Sequence, residues 1–222
     1  MMKRITAMIL VLVLTLSMGV LSFAETSPGE VVTPANPNYD PKTHLDVETA
    51  DNGVQVTFYI NGSTSTVVDV QATGSGTTVN AYGGYDENRT YVPAIQVGDG
   101  THGVMNSKKG QKIKTFAINN GDNLVTFKKY AFKGSKASKV KVNGQKSKFE
   151  KNAFKGTKKA NAKIYLKKAK TAKDITVAKG AFNGLNNKST IYVSKKNMSK
   201  KEYNKLVKKL RKAGYKGKIV RN

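Results

Sequence analysis

The feature that most constrains the fold is a short phrase that occurs three times in the second half of the chain. The copies read VTFKKYAFKG (residues 125–134), SKFEKNAFKG (147–156) and ITVAKGAFNG (175–184). In each copy an apolar residue is followed four and five positions later by Ala-Phe, and the Phe is followed two positions later by Gly. The Ala-Phe pairs recur at intervals of 22 and 28 residues. Periods in this range are typical of stacked repeats, in which one unit buries its apolar face only against a neighbour.

The repeated phrase predicts how each copy packs against the next. After its Gly, each copy continues through a Lys-rich segment into an apolar-x-apolar triplet, which fits a strand whose two outer residues face inward. The small Ala lets the backbone approach its neighbour, and the Phe ring fills the interior. The Gly can adopt the left-handed conformation that ends a tight turn. The predicted repeat core comprises Phe127, Phe132, Phe149, Phe154, Val177 and Phe182.

These repeats resemble the BspA-like leucine-rich repeats of bacterial surface proteins, whose phrase is an apolar residue, a few polar residues and then Ala-Phe-x-Gly or Ala-Phe-x-Cys. The resemblance covers roughly residues 113–222, about half of the chain. It implies a mainly β fold with short helices (α+β), in which a short right-handed leucine-rich-repeat solenoid has a sheet on one side and turns or short helices on the other. The chain departs from the fuller pattern because it has few Leu residues and only three clear copies, about the minimum for a stable stack.

Residues 1–24 have the features of a signal peptide. Lys3 and Arg4 precede the apolar run Ile5–Val20, and Ser22–Ala24 is a small-x-small cleavage site. A retained membrane anchor is the alternative, but the apolar run is short for a span and Gly19 interrupts it. No second apolar stretch follows, so we expect no transmembrane segment after cleavage.

Two segments separate the signal peptide from the repeats. Residues 25–52 hold four of the five prolines and are predicted to be a Pro-rich linker. Residues 53–110 are predicted to be a small, acidic, β-rich segment, with degenerate repeats as an open alternative. Within it, alternating apolar residues on both sides of Asn61-Gly62 predict a β-hairpin.

Residues 111–195 hold the repeats, and residues 196–222 are predicted to form a C-terminal cap of one amphipathic helix and a short strand. Ser199 and Glu202 have capping-box spacing, apolar residues then recur on one face, and Gly214 ends the pattern. A helix lying on a membrane surface is the alternative. The cap is favoured because repeat stacks need a polar-backed end to stay soluble.

Charge is divided unequally along the chain. Residues 25–105 contain ten acidic and two basic residues, a net charge of −8, whereas residues 106–222 contain four acidic and 35 basic residues, a net charge of +31. Almost all of the basic residues are Lys, a hydrated point charge that suits attraction to a polyanion better than recognition of planar groups. The alternative is that the lysines only keep the protein soluble, although ordinary solubility needs a far smaller net charge.

The charge predicts the class of partner. An anionic cell-wall polymer, a glycosaminoglycan or an anionic membrane surface fits the lysines, and a protein partner is a further possibility. Specific nucleic-acid recognition is not expected, because few aromatic residues are interleaved with the basic ones. The candidate anion-binding residues are Lys133, Lys136, Lys139, Lys155, Lys158, Lys159, Lys167, Lys168, Lys200, Lys201, Lys205, Lys208 and Lys209.

The sequence offers no pattern typical of catalysis. There is no Cys, so a disulfide framework, a thiolate nucleophile and a Cys-based zinc site are excluded. His44 and His102 are 58 residues apart and have no metal-ligand spacing, and no acidic pair stands out as a general acid and base. We therefore expect no enzyme activity, no cofactor and no metal.

These observations predict a secreted bacterial protein, monomeric and non-catalytic, that is loosely associated with a cell surface. It would act in adhesion or surface association, with its Lys-rich face bound to an anionic polymer or a protein partner. The alternative is a structural module of a larger surface assembly, in which the acidic part folds against the basic part or the lysines are only a solvated surface.

Overall fold

The computed structural model describes residues 44–222, so the predicted signal peptide and residues 25–43 of the predicted linker lie outside the described residues. Two β-sheets and one α-helix account for the regular structure of these described residues. The strands are β1 His44–Thr49, β2 Val54–Asn61, β3 Thr64–Ala72, β4 Thr78–Ala81, β5 Gly83–Tyr85, β6 Tyr91–Val97, β7 Thr115–Ile118, β8 Leu124–Phe127, β9 Lys139–Val142, β10 Lys146–Phe149, β11 Lys163–Tyr165, β12 Ile175–Val177, β13 Thr190–Val193 and β14 Lys218–Arg221. The helix is α1 Lys200–Lys212, and single 3-10 turns lie at Gly110–Lys112 and Ala172–Asp174.

The two sheets are mostly parallel. The eight-stranded sheet has the order β1-β2-β3-β6-β8-β10-β12, with β5 paired to β6, and the six-stranded sheet has the order β14-β13-β11-β9-β7-β4. Among the strands of residues 44–222, only the pairs β1–β2, β2–β3 and β5–β6 are antiparallel. From β6 to β13 the chain alternates between the two sheets, so that each crossing from the first sheet to the second lies at one edge of the molecule and each return lies at the other edge.

The predicted leucine-rich-repeat solenoid is wrong. It required turns or short helices opposite a single sheet, but the segments that precede Ala-Phe form strands of their own and pair in parallel as β8, β10 and β12. The physical reason is their alternation: in Lys146–Phe149 the lysines are exposed while Ser147 and Phe149 are buried, a pattern that a strand satisfies. The architecture is two mostly parallel, mixed sheets with one α-helix among the described residues.

The acidic segment is continuous with the repeats, because β3, β6 and β8 are neighbours in one sheet. Its predicted β-hairpin is confirmed: β2 and β3 pair antiparallel around Asn61-Gly62, and Gly62 has a positive φ of 53°. Residues 44–49, which we predicted to be linker, instead form β1, because they pair along their whole length with β2.

The interior between the sheets is filled by stacked rings from successive repeats. Phe127 and Phe149 are in register on β8 and β10, and their ring centroids lie 4.7 Å apart with planes nearly parallel. Phe132 and Phe154, from the Ala-Phe pairs, stack at 4.5 Å. All five of the predicted core phenylalanines are buried, whereas Val177 is only partly buried. Val177 occupies the position of Phe127 and Phe149, so the interior is filled less completely in the third copy than in the first two.

Each Ala-Phe turn contains two residues in the left-handed conformation. One is the Gly of the phrase and the other immediately precedes Ala; the six are Tyr130, Gly134, Asn152, Gly156, Gly180 and Gly184, with φ between 64° and 100°. Three N–H groups of the first turn donate to carbonyl groups of the second at N–O distances of 3.1, 3.0 and 2.9 Å, from Tyr130 to Asn152, Phe132 to Ala153 and Gly134 to Gly156. The turns therefore continue the hydrogen bonding of the sheets.

The predicted C-terminal helix is present, but its capping box is only half formed. Ser199 Oγ accepts a hydrogen bond from Glu202 N at 3.3 Å, while the Glu202 carboxylate accepts from Ala172 N at 3.0 Å and pairs with Lys205 at 2.7 Å. Glu202 thus ties α1 to the 3-10 turn that precedes β12 instead of closing the box. Within residues 44–222, no helix has the length and apolarity needed to cross a bilayer.

Candidate anion-binding surface

Lysines gather at the edge where the three Ala-Phe turns lie. We call residues 128–136, 150–158 and 178–186 the turn edge. Because the turns follow one phrase and bond to one another, residues at matching positions are neighbours on this edge. Its exposed lysines occupy three such positions: Lys129, Lys151 and Lys179; Lys133 and Lys155; and Lys136 and Lys158. We call these seven side chains the turn-edge lysines.

The spacing of these rows follows from the backbone. Neighbouring strands lie about 4.8 Å apart, and the hydrogen bonds between successive turns keep the turns at a similar separation. Two unit charges about 5 Å apart in water repel each other by about 0.8 kcal/mol before salt screening. The rows are therefore electrostatically unfavourable by themselves, and an anion that bridges successive lysines relieves the repulsion.

One acidic residue, Glu150, lies within the turn edge. Its carboxylate is 3.3 Å from Lys128 Nζ and also accepts a hydrogen bond from Lys129 N at 3.3 Å. This pair neutralises Lys128, whose side chain is partly buried, and it leaves the exposed turn-edge lysines without an acidic partner among the described residues. Lys158 Nζ donates to the neutral Gln111 Oε1 at 3.1 Å, which preserves its charge.

The structure separates the predicted lysines into four groups. Lys133, Lys136, Lys155 and Lys158 lie on the turn edge, and Lys159 follows it and is partly buried. Lys139 lies on the outward face of the six-stranded sheet. Lys167 and Lys168 lie at the opposite edge of the molecule, after β11. The remaining predicted residues, Lys200, Lys201, Lys205, Lys208 and Lys209, belong to α1.

Two of the helix lysines have partners within the fold. Lys209 Nζ donates to Ala172 O at 2.6 Å and to Ile175 O at 2.9 Å, and burial of this ammonium group lowers its pKa. Lys209 therefore fastens the helix to the 3-10 turn and β12. Lys205 pairs with Glu202 at 2.7 Å. Lys200, Lys201 and Lys208 are exposed but lie on a helix, so they do not extend the rows of the turn edge.

Sequence reasoning missed three lysines that the structure places in one row. Lys129, Lys151 and Lys179 occupy the fifth position of the three copies, the one position of the phrase that is Lys in every copy. An alignment of the copies would have found them. Lys141 and Lys163 were also missed; they are exposed on the outer face of the six-stranded sheet.

The described residues contain no group of three or more His, Asp or Glu side chains that could hold a metal ion. His102 lies in an exposed loop, where Nδ1 is 3.1 Å from the Asp99 carboxylate. Backbone and side-chain hydrogen bonds from Thr101 and His102 outweigh burial and lower the Asp99 pKa. These hydrogen bonds hold together the loop that contains residues 99–102.

No family model matches the chain, and no curated protein or solved structure matches it. Nothing in these comparisons identifies the chain with the repeat family that its Ala-Phe phrase resembles. The charged surface of the protein is therefore the feature that indicates its function.

Proposed function

We propose that this is an exported, non-catalytic binding protein that attaches to a linear anionic polymer along its turn edge. The observation that carries the proposal is the alignment of the seven turn-edge lysines at matching positions of hydrogen-bonded turns. A linear polyanion can contact several of these charges at once, because they recur at the spacing of the strands. An anionic cell-wall polymer and a glycosaminoglycan both have this character.

The chemistry of the surface favours charge attraction without base recognition. Lysine ammonium groups act as point charges and do not present the planar fork with which Arg reads planar groups. The phenylalanine rings of the turn edge are buried, and its partly exposed ring, Tyr130, is flanked by Lys129 Nζ at 4.8 Å and by Lys133 Nζ at 5.5 Å from its centroid. These lysines limit access to the ring face that a nucleic-acid base would need for stacking.

Export is part of the proposal because a polymer of the cell surface is reached only outside the cell. It is supported by the signal-peptide pattern of residues 1–24. The acidic part of the chain, net −8 over residues 25–105, is not involved in holding the polymer.

A salt series of polymer binding tests the proposal. Teichoic acid, heparin, anionic vesicles and neutral dextran would be titrated with the chain from Glu25, at salt concentrations from about 0.05 to 0.5 M. Each lysine–anion contact contributes a slope of about −0.7 to −0.9 to a plot of log K against log salt, so seven contacts give about −5 to −6. Absence of binding to every polyanion at the lowest salt concentration would refute the proposal, and so would equal binding to dextran.

A further inference from the structure

The outer face of the six-stranded sheet carries a strip of apolar surface. Tyr165 on β11, Tyr192 on β13 and Val220 on β14 occupy matching register positions on neighbouring strands. Ile164 and Ile191, the residues before the two tyrosines, are fully buried, so strand alternation places both rings on the opposite, outer face. The two rings stack, with centroids 4.9 Å apart and planes 10° from parallel. We call Tyr165, Tyr192 and Val220 the apolar strip.

Lysines border the apolar strip. The row of outward-facing residues two positions earlier on each strand runs beside the strip in register, and its lysines are exposed. The members of this row are Lys139, Lys163, Thr190 and Lys218. Lys141 is opposite Tyr165 in the row of the strip itself, and Lys167 Nζ lies 6.0 Å from the centroid of the Tyr165 ring. The six strands of this sheet contain neither Asp nor Glu. We call these five side chains, Lys139, Lys141, Lys163, Lys167 and Lys218, the strip lysines.

The strip lysines continue the positive charge of the turn edge. From each of the first two turns the chain leads directly into β9 or β11, so that Lys136 is followed by Lys139 and Lys158 is followed by Lys163. The connections between turns and strands lie within residues 131–149, 151–173 and 175–201, and none of these three segments contains Asp or Glu. A polyanion on the turn edge can therefore extend over the outer face without meeting an acidic side chain of these segments.

The apolar strip and its lysines together indicate the chemistry of the ligand. An acidic sugar has C–H groups on the faces of its ring, hydroxyl groups around the ring and a carboxylate or sulfate group at its rim. The C–H groups suit the apolar strip, and the anionic group suits the strip lysines. The two phenolic hydroxyl groups can both donate to and accept from sugar hydroxyl groups. A polyphosphate chain has the charge but no apolar face.

The same surface is less suited to a lipid bilayer. A protein that lies on a bilayer inserts apolar side chains that protrude from its surface. Among the described residues, the exposed large hydrophobic side chains lie on β1, directly after β4 and at the starts of β6 and β8, and none lies in the six-stranded sheet. Tyr165 and Tyr192 are partly buried, and each ring covers one face of the other. The apolar strip therefore offers a shallow contact surface without an anchor.

We propose that the polymer held at the turn edge is an acidic glycan, and that the apolar strip with the strip lysines binds its sugar units. The inference rests on the polymer binding proposed above and specifies the ligand as a chain of sugar rings that carry carboxylate or sulfate groups. The turn edge attracts any linear polyanion, because it acts through charge. The apolar strip adds a preference for polymers that contain rings.

The first test removes the rings without changing the charge. The chain from Glu25 and its variant Tyr165→Thr with Tyr192→Thr would be titrated with heparin, polygalacturonate and inorganic polyphosphate across a salt series. We expect the variant to bind both glycans at least about 5-fold more weakly and polyphosphate within about 2-fold of the parent, because apolar contact is lost. The slope of log K against log salt should not change, because no lysine–anion contact is removed. The matched control is Tyr82→Thr with Tyr91→Thr, two exposed tyrosines outside the sheet, which should bind every polymer as the parent does.

The outcomes of this first test separate the two proposals. If the parent chain binds no polyanion, polymer binding at the turn edge is refuted, and the acidic-glycan inference is refuted with it. If the parent binds the polyanions but the variant lacking Tyr165 and Tyr192 binds glycans unchanged, or loses glycan and polyphosphate affinity equally, only the acidic-glycan inference is overturned. Anionic vesicles provide a further arm: a loss of vesicle binding with unchanged glycan binding would assign the strip to lipid and overturn the inference.

The second test removes charge beside the strip. Replacement of Lys139, Lys163 and Lys218 by Gln changes exposed side chains that take no part in the core, so the variant should fold as the parent does, which circular dichroism checks. We expect its affinity for polygalacturonate at about 0.15 M salt to fall at least about 5-fold. Replacement of Lys200, Lys201 and Lys208 by Gln removes the same charge from α1 and should leave the affinity within about 3-fold of the parent. Equal losses in these two variants, or binding of methyl-esterified polygalacturonate as tight as that of the acid, would contradict the inference.

Discussion

At the scale of single residues, aromatic rings join one repeat to the next. Phe154 lies between Phe132 and Phe182, with ring centroids 4.5 and 5.7 Å away, and its side chain is almost completely buried. Tyr215 continues the stack beyond Phe182, edge to face at 5.1 Å. Because each ring contacts the repeats on both of its sides, removing one ring opens a cavity that no single neighbour can fill.

We predict that Phe154→Ala lowers the free energy of unfolding by about 3–5 kcal/mol, because a large buried side chain is lost and a cavity remains. Urea denaturation of the chain from Glu25 measures this loss. The control is Lys155→Ala, an exposed neighbour whose replacement should change stability by about 0.5 kcal/mol or less. Equal stability of the two variants would mean that the rings of the repeats do not hold the core together.

The partly buried carboxyl group of Glu48, on β1, makes stability depend on pH. The pKa of Glu48 is raised from 4.5 to about 7 in the folded chain, so between these values the folded state binds more protons than the unfolded state. The contribution of Glu48 to stability is therefore present at acidic pH and is lost as the pH rises towards 7. We predict that Glu48→Gln removes this decrease, measured by urea denaturation at several pH values. Glu87→Gln, at an exposed position, should retain it; a decrease that persists in Glu48→Gln would assign it to another group.

At the scale of elements, the Ala-Phe turns depend on left-handed backbone positions that also lie against a neighbouring turn. Gly184 has a φ of 100°, and a Cβ at this position would overlap the carbonyl oxygen of Phe154. Gly214 has a similar φ of 91° after α1, but no atom lies within 4 Å of a Cβ there. A comparison of substitutions at these two glycines therefore separates the cost of backbone strain from the cost of overlap with a neighbouring turn.

We predict that Gly184→Ala destabilises the chain by about 3 kcal/mol or more, because strain and overlap add together. Gly214→Ala should cost only the strain, about 1–2 kcal/mol. Thermal or urea denaturation of the two variants makes the comparison. Similar losses would show that the contact between the second and third turns is loose, and the parallel stacking of the turns would then need revision.

Local patterns predicted the elements that depend on local interactions. Ser199 and Gly214 bracket α1, and Asn61-Gly62 marks the β2–β3 hairpin. The parallel part of the eight-stranded sheet could not be predicted in the same way, because Lys146–Phe149 has one strongly apolar residue and pairs with segments 22 and 28 residues away. Parallel pairing between distant segments is decided by packing, and packing outweighs the local preference of such a polar segment.

The same distinction between local patterns and long-range contacts applies to the candidate functional residues. The lysine rows were partly predictable, because a charge repeated at one position of a repeated phrase must form a row once the copies stack. The hydrogen bond from Tyr85 N to Asp46 Oδ2 was not predictable, because the two residues are 39 positions apart in sequence.

At the scale of the whole molecule, one chain carries two oppositely charged regions. Residues 44–105 have a net charge of −6 and residues 106–222 have a net charge of +31. The central claim is that the positive region binds through aligned rows on the turn edge and not through its net charge alone. Exposed lysines on α1, which carry the same charge without that alignment, provide the comparison.

The most direct test compares two variants that lose the same charge. One replaces Lys129, Lys133, Lys151 and Lys155 by Gln, and the other replaces Lys200, Lys201, Lys208 and Lys212 by Gln. Binding of heparin would be measured for both across a salt series. We predict that the turn-edge variant loses about 3–4 units of the slope of log K against log salt and binds at least about 10-fold more weakly at about 0.15 M salt. The helix variant should remain within about 3-fold of the parent chain; equal losses in the two variants would contradict the account and leave net charge as the sole source of binding.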